Sequence, residues 1–579
     1  MIKIENLYYS FPQKDLYKKI SFTLEDNQHC AFIGTNGTGK STLIEMIMNP
    51  DNYLFDGKLD ISPNCRIGYV SQFSQLDKAK EMTVFDYISE RFVQLQADIN
   101  EVCEQMATSE ELESLMEQYQ DVLDAWNAID GDNYESDISK QLKTANLTKY
   151  ADMPITNLSG GEFKLVQVIK EMITGPNLLV MDEPDIYLDF EHLNALRDLI
   201  NTYKGTLLVV THNRYLLNHC FNKILHLENT QIQEFNGRYM EYNFTLLQTK
   251  IELQELAAAD LEEIERNRKV VDKLRAEATV LFSATKGRTL HARVSLLERL
   301  EARRVKEPFV EIKQPEIHLT TNQEIEEETI LKVSNLSVQF EEALLENVDF
   351  EIQAKDKVAL IGQNGTGKTT LLRDIYQNEN PSIQLNEKVQ MAFLSQLQGE
   401  MFEETNTVQQ EFLKLGLQNE REIKIHLSKF GIEEELFSSK IQSLSGGEKN
   451  LLQLAKIALS NANLLLLDEP TSHLDTYAQI ALEKAIENYN GAILMVSHDF
   501  YTIANCMDYV LLIEDKKIRK MSIRAFRKMI YAKHFDRDYL EMEQKKKETE
   551  VKIANALQDN QFELAKSLSE KLEAIIKQL

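Results

Sequence analysis

The sequence lacks any apolar run long enough to cross a membrane. No stretch of about 18 or more apolar residues occurs in the 579-residue chain, which argues against a membrane-spanning helix. The first residues, MIKIENLYYSF, have neither the basic segment nor the apolar core of a signal peptide. These two features predict a cytoplasmic protein.

Cysteine is sparse. The chain has 5 cysteines, widely separated and without a CxxC pair, so neither a disulfide framework nor a zinc site is expected. We expect reduced thiols that are mostly buried.

Positive charge is also in deficit. The chain has 64 Lys and Arg residues against 92 Asp and Glu, a net charge of -28, so its overall field repels nucleic acid phosphates. Any RNA contact must therefore come from a local basic patch.

Two segments of the chain carry the same motifs in the same order, which indicates a duplicated domain. Gln72 and Gln396, in GYVSQ and AFLSQ, are 324 positions apart, whereas Ser159 and Ser445, in the two LSGGE motifs, are 286 apart. The first copy therefore holds 38 additional residues between these motifs. We assign residues 1–240 and 326–530 to the two copies, with an inserted helical hairpin, or arm, at about 89–142.

Two stretches without glycine or proline lie between and after the copies. Apolar residues recur at helical spacing in 239–286, which predicts a long helix, and a second helix is predicted to return from about His291 to Val305. The segment around Gly287 would form the tip. Residues 531–579 show the same spacing and predict a helical pair. We assign 241–325 to a helical hairpin linker and 531–579 to a helical C-terminal extension, an accessory domain.

Each copy contains the pattern GxxxxGK[ST] between an apolar strand and a predicted helix, the context of a phosphate-binding P-loop. Its glycines let backbone N–H groups approach phosphates, its lysine reaches the terminal phosphates, and its hydroxyl residue can hold Mg²⁺. The predicted ATP-binding residues are Gly34, Asn36, Gly37, Gly39, Lys40, Ser41 and Thr42 in the first copy, and Gly362, Asn364, Gly365, Gly367, Lys368, Thr369 and Thr370 in the second. Ser41 and Thr369 are the predicted Mg²⁺ ligands among them.

An apolar strand that ends in two acids follows in each copy: Asp182 and Glu183 in LLVMDEP, and Asp468 and Glu469 in LLLLDEP. At the carboxyl end of a buried strand, the aspartate can anchor Mg²⁺ and the glutamate can orient or deprotonate the attacking water. Glu183 and Glu469 are therefore candidate catalytic residues.

The LSGGE motifs place a serine and two glycines at a predicted helix start, where they can offer donors to a γ-phosphate. The residues are Ser159, Gly160 and Gly161, and Ser445, Gly446 and Gly447. As a bare pentapeptide the motif is only a loop and a helix cap. Following a P-loop, however, it is similar to the signature of ATP-binding cassette (ABC) proteins, and the chain resembles their F class over nearly all of both copies.

That resemblance implies an α/β fold with two P-loop ABC ATPase domains in tandem, joined by a long α-helical hairpin linker, with a helical C-terminal extension. It implies a monomer whose two domains face each other head to tail. Each ATP would lie between one P-loop and the other domain's signature, so that Lys40 pairs with Ser445 and Lys368 with Ser159.

The resemblance also implies roles for further residues. Gln72 and Gln396 match the Q-loop and would contact ATP and Mg²⁺, and His212 and His498 match the switch histidine near the γ-phosphate. Phe11 and Phe340 match the aromatic that stacks on adenine, although an aromatic residue before a strand is more often part of the core.

The first copy departs from the F-class pattern after its acids. The second copy has EPTSHLD, close to the typical EPTNHLD, whereas the first has EPDIYLD, with Asp185 for threonine and Tyr187 for histidine. Both acids are retained, so we expect two ATP sites that differ in turnover.

For function, the resemblance implies an ATP hydrolase that enters the ribosomal tRNA exit site in its ATP-bound state and directs its linker towards the P-site tRNA and the peptidyl transferase centre. Residues 286–306 carry seven Lys and Arg against two Glu, as a local RNA contact requires. The candidate contacts are Lys286, Arg288 and Arg293. The alternative is a solvated helix face whose charges pair with glutamates of the facing helix. Antibiotic protection and a housekeeping role in translation both stay open.

Two other classes compete with this interpretation. The motor subunit of a membrane transporter shares the ATP sites but does not usually have a long basic hairpin between its halves. A DNA repair ATPase also combines cassettes with coiled coils, but there the coiled coil usually interrupts a cassette. Co-purification with a membrane protein, or hydrolysis stimulated by duplex DNA, would distinguish them.

Overall fold

A computed structural model describes the chain except for residues 12–13, 73–81, 109–111, 187, 281–290, 292, 300–314, 323–327, 340–342, 396–401 and 535–536. The chain divides into two compact units. The first contains Met1–Gly237 and Gln314–Arg527, and the second contains Arg238–Lys313 and Lys528–Leu579. Among the described helices, none combines the length and the apolar character that crossing a membrane requires. The domain boundaries assigned from the sequence stay predictions.

The first copy consists of two sheets. Its strands are β1 (Ile2–Phe11), β2 (Lys14–Leu24), β3 (His29–Ile33), β4 (Asp56–Ile61), β5 (Ile67–Val70), β6 (Leu178–Asp182), β7 (Thr206–Val210), β8 (Lys223–Glu228) and β9 (Gln231–Asn236). One antiparallel sheet has the order β2-β1-β4. The other has the order β5-β6-β7-β3-β8-β9 and is parallel except for β9. Every residue of β6 and β7 is buried, as expected of parallel strands covered on both faces.

The helices of the first copy are Lys40–Met48, Val84–Thr108, Leu112–Ala128, Tyr134–Thr144, Gly160–Ile173, Phe190–Thr202 and Arg214–His219. The predicted hairpin at 89–142 is instead part of three helices, because the chain turns at Asp130 and Gly131 before a further helix begins. Asp130 has a φ of 52°, and a side chain at Gly131 would meet the ring of Trp126. Trp126 packs there with Phe92 and Tyr134.

The second copy repeats this architecture. Its strands are β10 (Thr329–Gln339), β11 (Ala343–Gln353), β12 (Lys357–Ile361), β13 (Ile383–Leu385), β14 (Met391–Leu394), β15 (Leu464–Asp468), β16 (Ala492–Val496), β17 (Tyr509–Glu514) and β18 (Lys517–Ser522). The sheet orders are β11-β10-β13 and β14-β15-β16-β12-β17-β18, which match the first copy strand for strand. Its helices are Lys368–Gln377, Val408–Lys414, Glu420–Lys429, Gly446–Ala458, Thr476–Asn488, Phe500–Cys506 and Ile523–His534. The predicted duplication and fold class are confirmed.

The second unit is helical. It contains the 42-residue helix Tyr239–Val280 and the helices Arg537–Gln558 and Phe562–Ile576, in agreement with the predicted long helix and helical pair. Residues 291 and 293–299 are helical, while the predicted tip at 281–290 lies outside the described residues. The C-terminal pair packs on the start of the long helix through an apolar cluster that includes Met240, Phe244, Ile251, Ile553, Ala565 and Leu572. The C-terminal extension therefore packs with the linker helix in the same unit.

Candidate nucleotide sites between the two copies

The strand order brings the predicted site residues of each copy to one edge of its parallel sheet. In the first copy, the P-loop follows β3, Gln72 follows β5, Asp182 ends β6 and His212 follows β7. These strands are parallel neighbours, so their carboxyl ends meet, as in other nucleotide-binding α/β sheets. In the second copy the P-loop follows β12, Asp468 ends β15 and His498 follows β16.

In each copy, the P-loop lysine donates hydrogen bonds to the main chain of its own loop. The Lys40 Nζ donates to the main-chain oxygens of Gly34 and Thr35, both at 2.9 Å. The Lys368 Nζ donates in the same way to Gly362 and Gln363, both at 2.8 Å. Burial lowers the pKa of both lysines, and nearby carboxylates oppose this shift. The two ammonium groups therefore lie where phosphate charge would stabilise them.

The glycines that precede these lysines adopt backbone conformations that favour glycine. Gly37 and Gly39 have φ values of 75° and 100°, and Gly365 and Gly367 have values of 80° and 90°. A residue with a Cβ would be strained there. The turn can thus present successive N–H groups to one anion.

The acids of the first copy are held by contacts from both copies. The Gln72 Nε2 donates to the Glu183 Oε2 at 2.8 Å, and the His473 Nδ1 of the second copy is 3.8 Å from the same oxygen. Burial by itself raises the pKa of Glu183, but the neighbouring His473 side chain and the charge of Lys40 outweigh it, so the pKa is lowered. Burial, and then the charge of Glu183, raises the pKa of Asp182, against a hydrogen bond from Ser41.

The environment of Glu469 in the second copy differs from that of Glu183. The His498 main-chain N donates to its Oε2 at 3.3 Å, and the His498 Nε2 is 3.4 Å from its Oε1. Burial and the charge of Asp468 raise the pKa of Glu469 to about 8. Both glutamates have a positive φ, 46° for Glu183 and 49° for Glu469, a strained conformation of the kind found at functional sites. The two acids thus share a backbone geometry but not an electrostatic environment.

Of the two predicted switch histidines, His212 is buried and His498 is half-buried. Burial, followed by the charge of Lys40, lowers the pKa of His212 to about 4. Burial, followed by the charge of Lys368, lowers the pKa of His498 to about 3. Both imidazoles are therefore neutral near pH 7. Each can donate one hydrogen bond and accept another.

The P-loop of each copy contacts the other copy. The Asn36 Nδ2 donates to the main-chain oxygen of His473 at 2.8 Å, and the Asn36 main-chain N donates to the Asp475 Oδ2 at 3.3 Å. The Asn364 main-chain N donates to the Asp189 Oδ2 at 3.3 Å, which repeats the second of these contacts. The two copies thus face each other head to tail within the first unit.

The signature residues begin helices at these boundaries. Ser159 and Ser445 are N-caps of Gly160–Ile173 and Gly446–Ala458, each in a capping box with the glutamate three residues later. Gly161 is buried in its helix, and a Cβ at Gly447 would lie 2.1 Å from the Asn36 Nδ2. The second signature therefore lies directly against the first P-loop. The N-termini of both helices favour an anion.

The structure describes two further predicted site residues, Phe11 and Arg293. Phe11 ends β1 with 49% of its surface exposed and its ring 5.5 Å from that of Tyr9, so it is not a core residue. Arg293 is exposed in the second unit, where its Nη1 is 3.4 Å from the Asn267 Oδ1. Four predicted residues lie outside the described part of the chain: Gln396, Phe340, Lys286 and Arg288.

Residues that sequence reasoning missed complete both sites. Asp189 and Asp475 repeat at the same 286-residue offset as the motifs, so the repeat itself could have identified them. His473 stands in the EPTSHLD motif but was not assigned a contact. His192, whose Nδ1 is 2.8 Å from the Asp189 Oδ1, has Ala478 as its counterpart, so the repeat carries no signal for it.

Comparison with known proteins agrees with this geometry. The family model described as ABC transporter matches residues 17–185 and 345–472. The uncharacterized ABC transporter ATP-binding protein YfmM of Bacillus subtilis (strain 168) is 28% identical over 517 residues, which cover 86% of this chain and 96% of that protein. The energy-dependent translational throttle protein EttA of Escherichia coli O6:H1 is 29% identical over 519 residues, which cover 87% and 90%.

A solved structure extends the likeness to the fold of most of the chain. The archaeal ribosome recycling factor aABCE1, in complex with the archaeal ribosomal stalk protein aP1, matches 91% of this chain and 92% of its own with a TM-score of 0.53. The sequence identity is 18%, so the likeness is one of fold alone.

Proposed function

The chain belongs to the ABC transporter family and is an ABC-F-type ATP hydrolase, and from this premise we propose that it binds the ribosome in its ATP-bound state. The chain would enter the tRNA exit site. Its linker would act on the P-site tRNA and the peptidyl transferase centre, in protection against antibiotics or in assistance of translation.

The proposed hydrolysis takes place at two sites between the copies. Glu183 and Glu469 would each orient and deprotonate a water molecule, while His212 and His498 would contact the γ-phosphate. In each site the signature serine, Ser445 or Ser159, would close over the phosphates. Phe11 and Phe340 would stack on the two adenines.

Mg²⁺ fits the residues that are present. Ser41, in the helix that follows the P-loop, lowers the pKa of the nearby Asp182 carboxylate, so two oxygen ligands of the kind Mg²⁺ prefers lie beside the P-loop. Ser41, Asp182 and Gln72 would hold the ion in the first site. Thr369, Asp468 and Gln396 would hold it in the second. When bound, it supplies positive charge that neutralises the phosphates.

The observation that carries the proposal is the helix Tyr239–Val280 between two complete cassettes. Its 42 residues reach about 63 Å at 1.5 Å per residue. The aligned region covers 90% of the relative EttA, which is named as a translational throttle, so the sequence similarity extends beyond the cassettes. A transporter motor accounts for the cassettes but not for this helix, and a DNA repair ATPase does not account for its place between two complete cassettes.

We also propose that positive charge on the linker contacts RNA phosphate. Among the described residues, Arg293 donates a hydrogen bond to the neutral side chain of Asn267 and forms no ion pair. Arg266 on the facing helix, in contrast, forms an ion pair with Glu262. The positive charge of Arg293 is thus available to a phosphate. This observation favours an RNA contact over the alternative of a self-neutralised helix face.

The test uses the full chain with Glu183→Gln and Glu469→Gln, which keeps the fold but removes both proposed bases. We expect this variant to pellet with purified ribosomes in ATP and not without it, because closed sites that cannot hydrolyse ATP hold the ribosome-binding form. The matched control adds Lys40→Ala and Lys368→Ala and should stay in the supernatant. Pelleting that is weak and independent of ATP would contradict the proposal and direct attention to membrane proteins or DNA.

The contribution of the linker is tested by charge reversal. Arg293→Glu in the double-Gln background should weaken pelleting and reduce its salt dependence. Arg519→Glu, at an exposed arginine of the second copy, is the matched control and should have no effect. Equal effects of the two variants would contradict an RNA contact at Arg293.

Drug protection and general translation are separated in a cell-free translation assay. We propose protection as the principal role, so the wild-type chain should restore synthesis inhibited by drugs that bind the peptidyl transferase centre. If it instead alters synthesis only without drug, the chain is a translation factor.

A further inference from the structure

The first copy buries a lysine that the second copy replaces with asparagine. Lys164 lies on the helix Gly160–Ile173, five residues after Ser159, and is 6% exposed. Its Nζ donates to the main-chain oxygens of Ser71 at 2.5 Å and Gln72 at 3.2 Å. Lys164 therefore ties the signature helix to the segment that follows β5.

The contact between Lys164 and Gln72 extends to Glu183, the proposed catalytic base of the first site. The residue whose main chain Lys164 holds is Gln72, and the Gln72 Nε2 donates to the Glu183 Oε2 at 2.8 Å. A glutamine at the start of a loop can adopt many rotamers. An anchored main chain restricts where its amide can reach. Lys164 thus acts on Glu183 through one intermediate residue.

The second copy uses a different arrangement. Asn450, the counterpart of Lys164, donates through Nδ2 to the main-chain oxygens of Pro470 at 3.0 Å and Ser472 at 2.9 Å. An asparagine amide has two N–H hydrogens, so both are used in these bonds. The second signature helix is therefore tied to the segment after Glu469.

A buried ammonium requires compensation, and the first copy supplies it. Burial lowers the pKa of Lys164 to about 8, and the charge of Asp185 is the strongest influence that opposes this shift. Asp185 is half-buried two residues after Glu183, and the Thr211 hydroxyl donates to its Oδ1 at 2.7 Å. Its counterpart in the second copy, beside Asn450, is the neutral Thr471. Lysine and aspartate therefore occur together in one copy, and asparagine and threonine in the other.

We propose that Lys164 is a positioning residue for ATP hydrolysis at the first site, where it fixes Gln72 against Glu183. This inference rests on the proposed role of Glu183, but it does not depend on ribosome binding.

The experiment measures steady-state ATP hydrolysis by the full chain without ribosomes, in a Glu469→Gln background that silences the second site. Lys164→Met should lower kcat about 10- to 100-fold, because small misplacements of catalytic groups have effects of this size, while ATP binding stays within about twofold. The matched control is Lys170→Met on the same helix, whose ammonium pairs with Glu90 of the arm at 2.6 Å. It should leave kcat unchanged.

A double-mutant cycle distinguishes positioning from a general structural role. If Lys164 acts through Gln72, Lys164→Met should lower kcat no further once Gln72→Ala is present. Additive losses would overturn the proposal, as would a Lys164→Met chain that keeps kcat within about twofold of its parent.

A second variant covers the case in which Lys164→Met does not fold. Lys164→Asn with Asp185→Thr introduces the pair found in the second copy and leaves no unpaired buried charge. We expect it to fold and to keep the low kcat, because the tie to Gln72 is absent; full kcat would overturn the proposal. Since no ribosomes are present, the result is independent of whether the double-Gln variant pellets.

Discussion

The Asn36 side-chain amide donates to the main-chain oxygen of His473 at 2.8 Å, which joins the first P-loop to the segment that follows the second copy's acids. The His473 Nδ1 in turn lies 3.8 Å from Glu183 of the first copy. One residue of the second copy therefore contacts both the phosphate-binding loop and the proposed base of the first. The first ATP site is complete only when the two copies are together.

This close approach predicts that Gly447 cannot be replaced. A Cβ at Gly447 would lie 2.1 Å from the Asn36 Nδ2 and 2.5 Å from the main-chain oxygen of His473. We expect Gly447→Ala to lower the free energy of unfolding in urea by about 1–3 kcal/mol, the usual cost of overpacking. Gly160→Ala is the matched control, since no atom in the described part of the chain lies within 4 Å of its Cβ position. Equal stability of the two variants would contradict the described packing.

A second prediction concerns a largely buried ion cluster between the copies. The Arg214 Nη2 contacts the carboxylates of Glu483 and of Asp499, the latter at 2.9 Å, and the guanidinium lies over the Tyr501 ring. Arg214→Met would leave the buried Glu483 and the half-buried Asp499 without their cation, so we expect the free energy of unfolding to fall by about 3 kcal/mol. Arg519→Met removes an ion pair with Glu514 in which both side chains are more than half exposed, and it should have no measurable effect. Urea unfolding of both variants checks this, and equal stability would refute it.

The packing of the C-terminal pair on the linker helix gives a third prediction. Ile553 is fully buried in the cluster with Phe244 and Ile251 of the long helix. Ile553→Ala should destabilise the second unit by about 2–5 kcal/mol through lost burial and the cavity left behind. Val551→Ala, 51% exposed on the same helix, should change stability by less than about 0.5 kcal/mol. Hydrogen exchange of the long helix measures the effect, and protection equal to that of wild type in Ile553→Ala would show that the extension does not support the linker.

The parts of the fold that follow from local pattern were predictable. Lys40 and Asp182 belong to motifs at the ends of apolar strands, and such strands form a parallel sheet whose carboxyl ends share one edge. The same motifs recur in the second copy and identify Lys368 and Asp468. The long helix was equally evident, because no glycine or proline interrupts its apolar spacing.

Contacts between distant segments were not predictable in this way. The bond from Asn36 to His473 joins residues 437 positions apart and depends on how two finished domains face each other. The packing of Ile553 on the linker helix has the same origin. The turn at Asp130, which adds a helix to the arm, depends on how Gly131 packs against a tryptophan ring. Periodicity contains no signal for such contacts.

The final prediction is a pH dependence at the second site. The His192 Nδ1 lies 2.8 Å from the Asp189 Oδ1, and the Asp189 Oδ2 accepts from the P-loop nitrogen of Asn364. Burial by itself lowers the pKa of His192, but the hydrogen bond and charge of Asp189, with Glu162 and Glu191, outweigh it and raise the pKa above its ordinary value. A histidine with a raised pKa contributes stability when protonated. That contribution is complete below the ordinary pKa of 6.5 and is lost as pH rises through the raised value.

His192→Ala, which introduces the residue of the second copy, should therefore be less stable than wild type at about pH 5.5 and closer to it at about pH 9. His426→Gln is the control of opposite sign, because burial lowers the pKa of His426 and wild type should lose stability relative to that variant as the pH falls. Urea unfolding of the three chains across this range gives the comparison. A difference between wild type and His192→Ala that is constant, or that grows with pH, would show that the ion pair with Asp189 does not stabilise the second site.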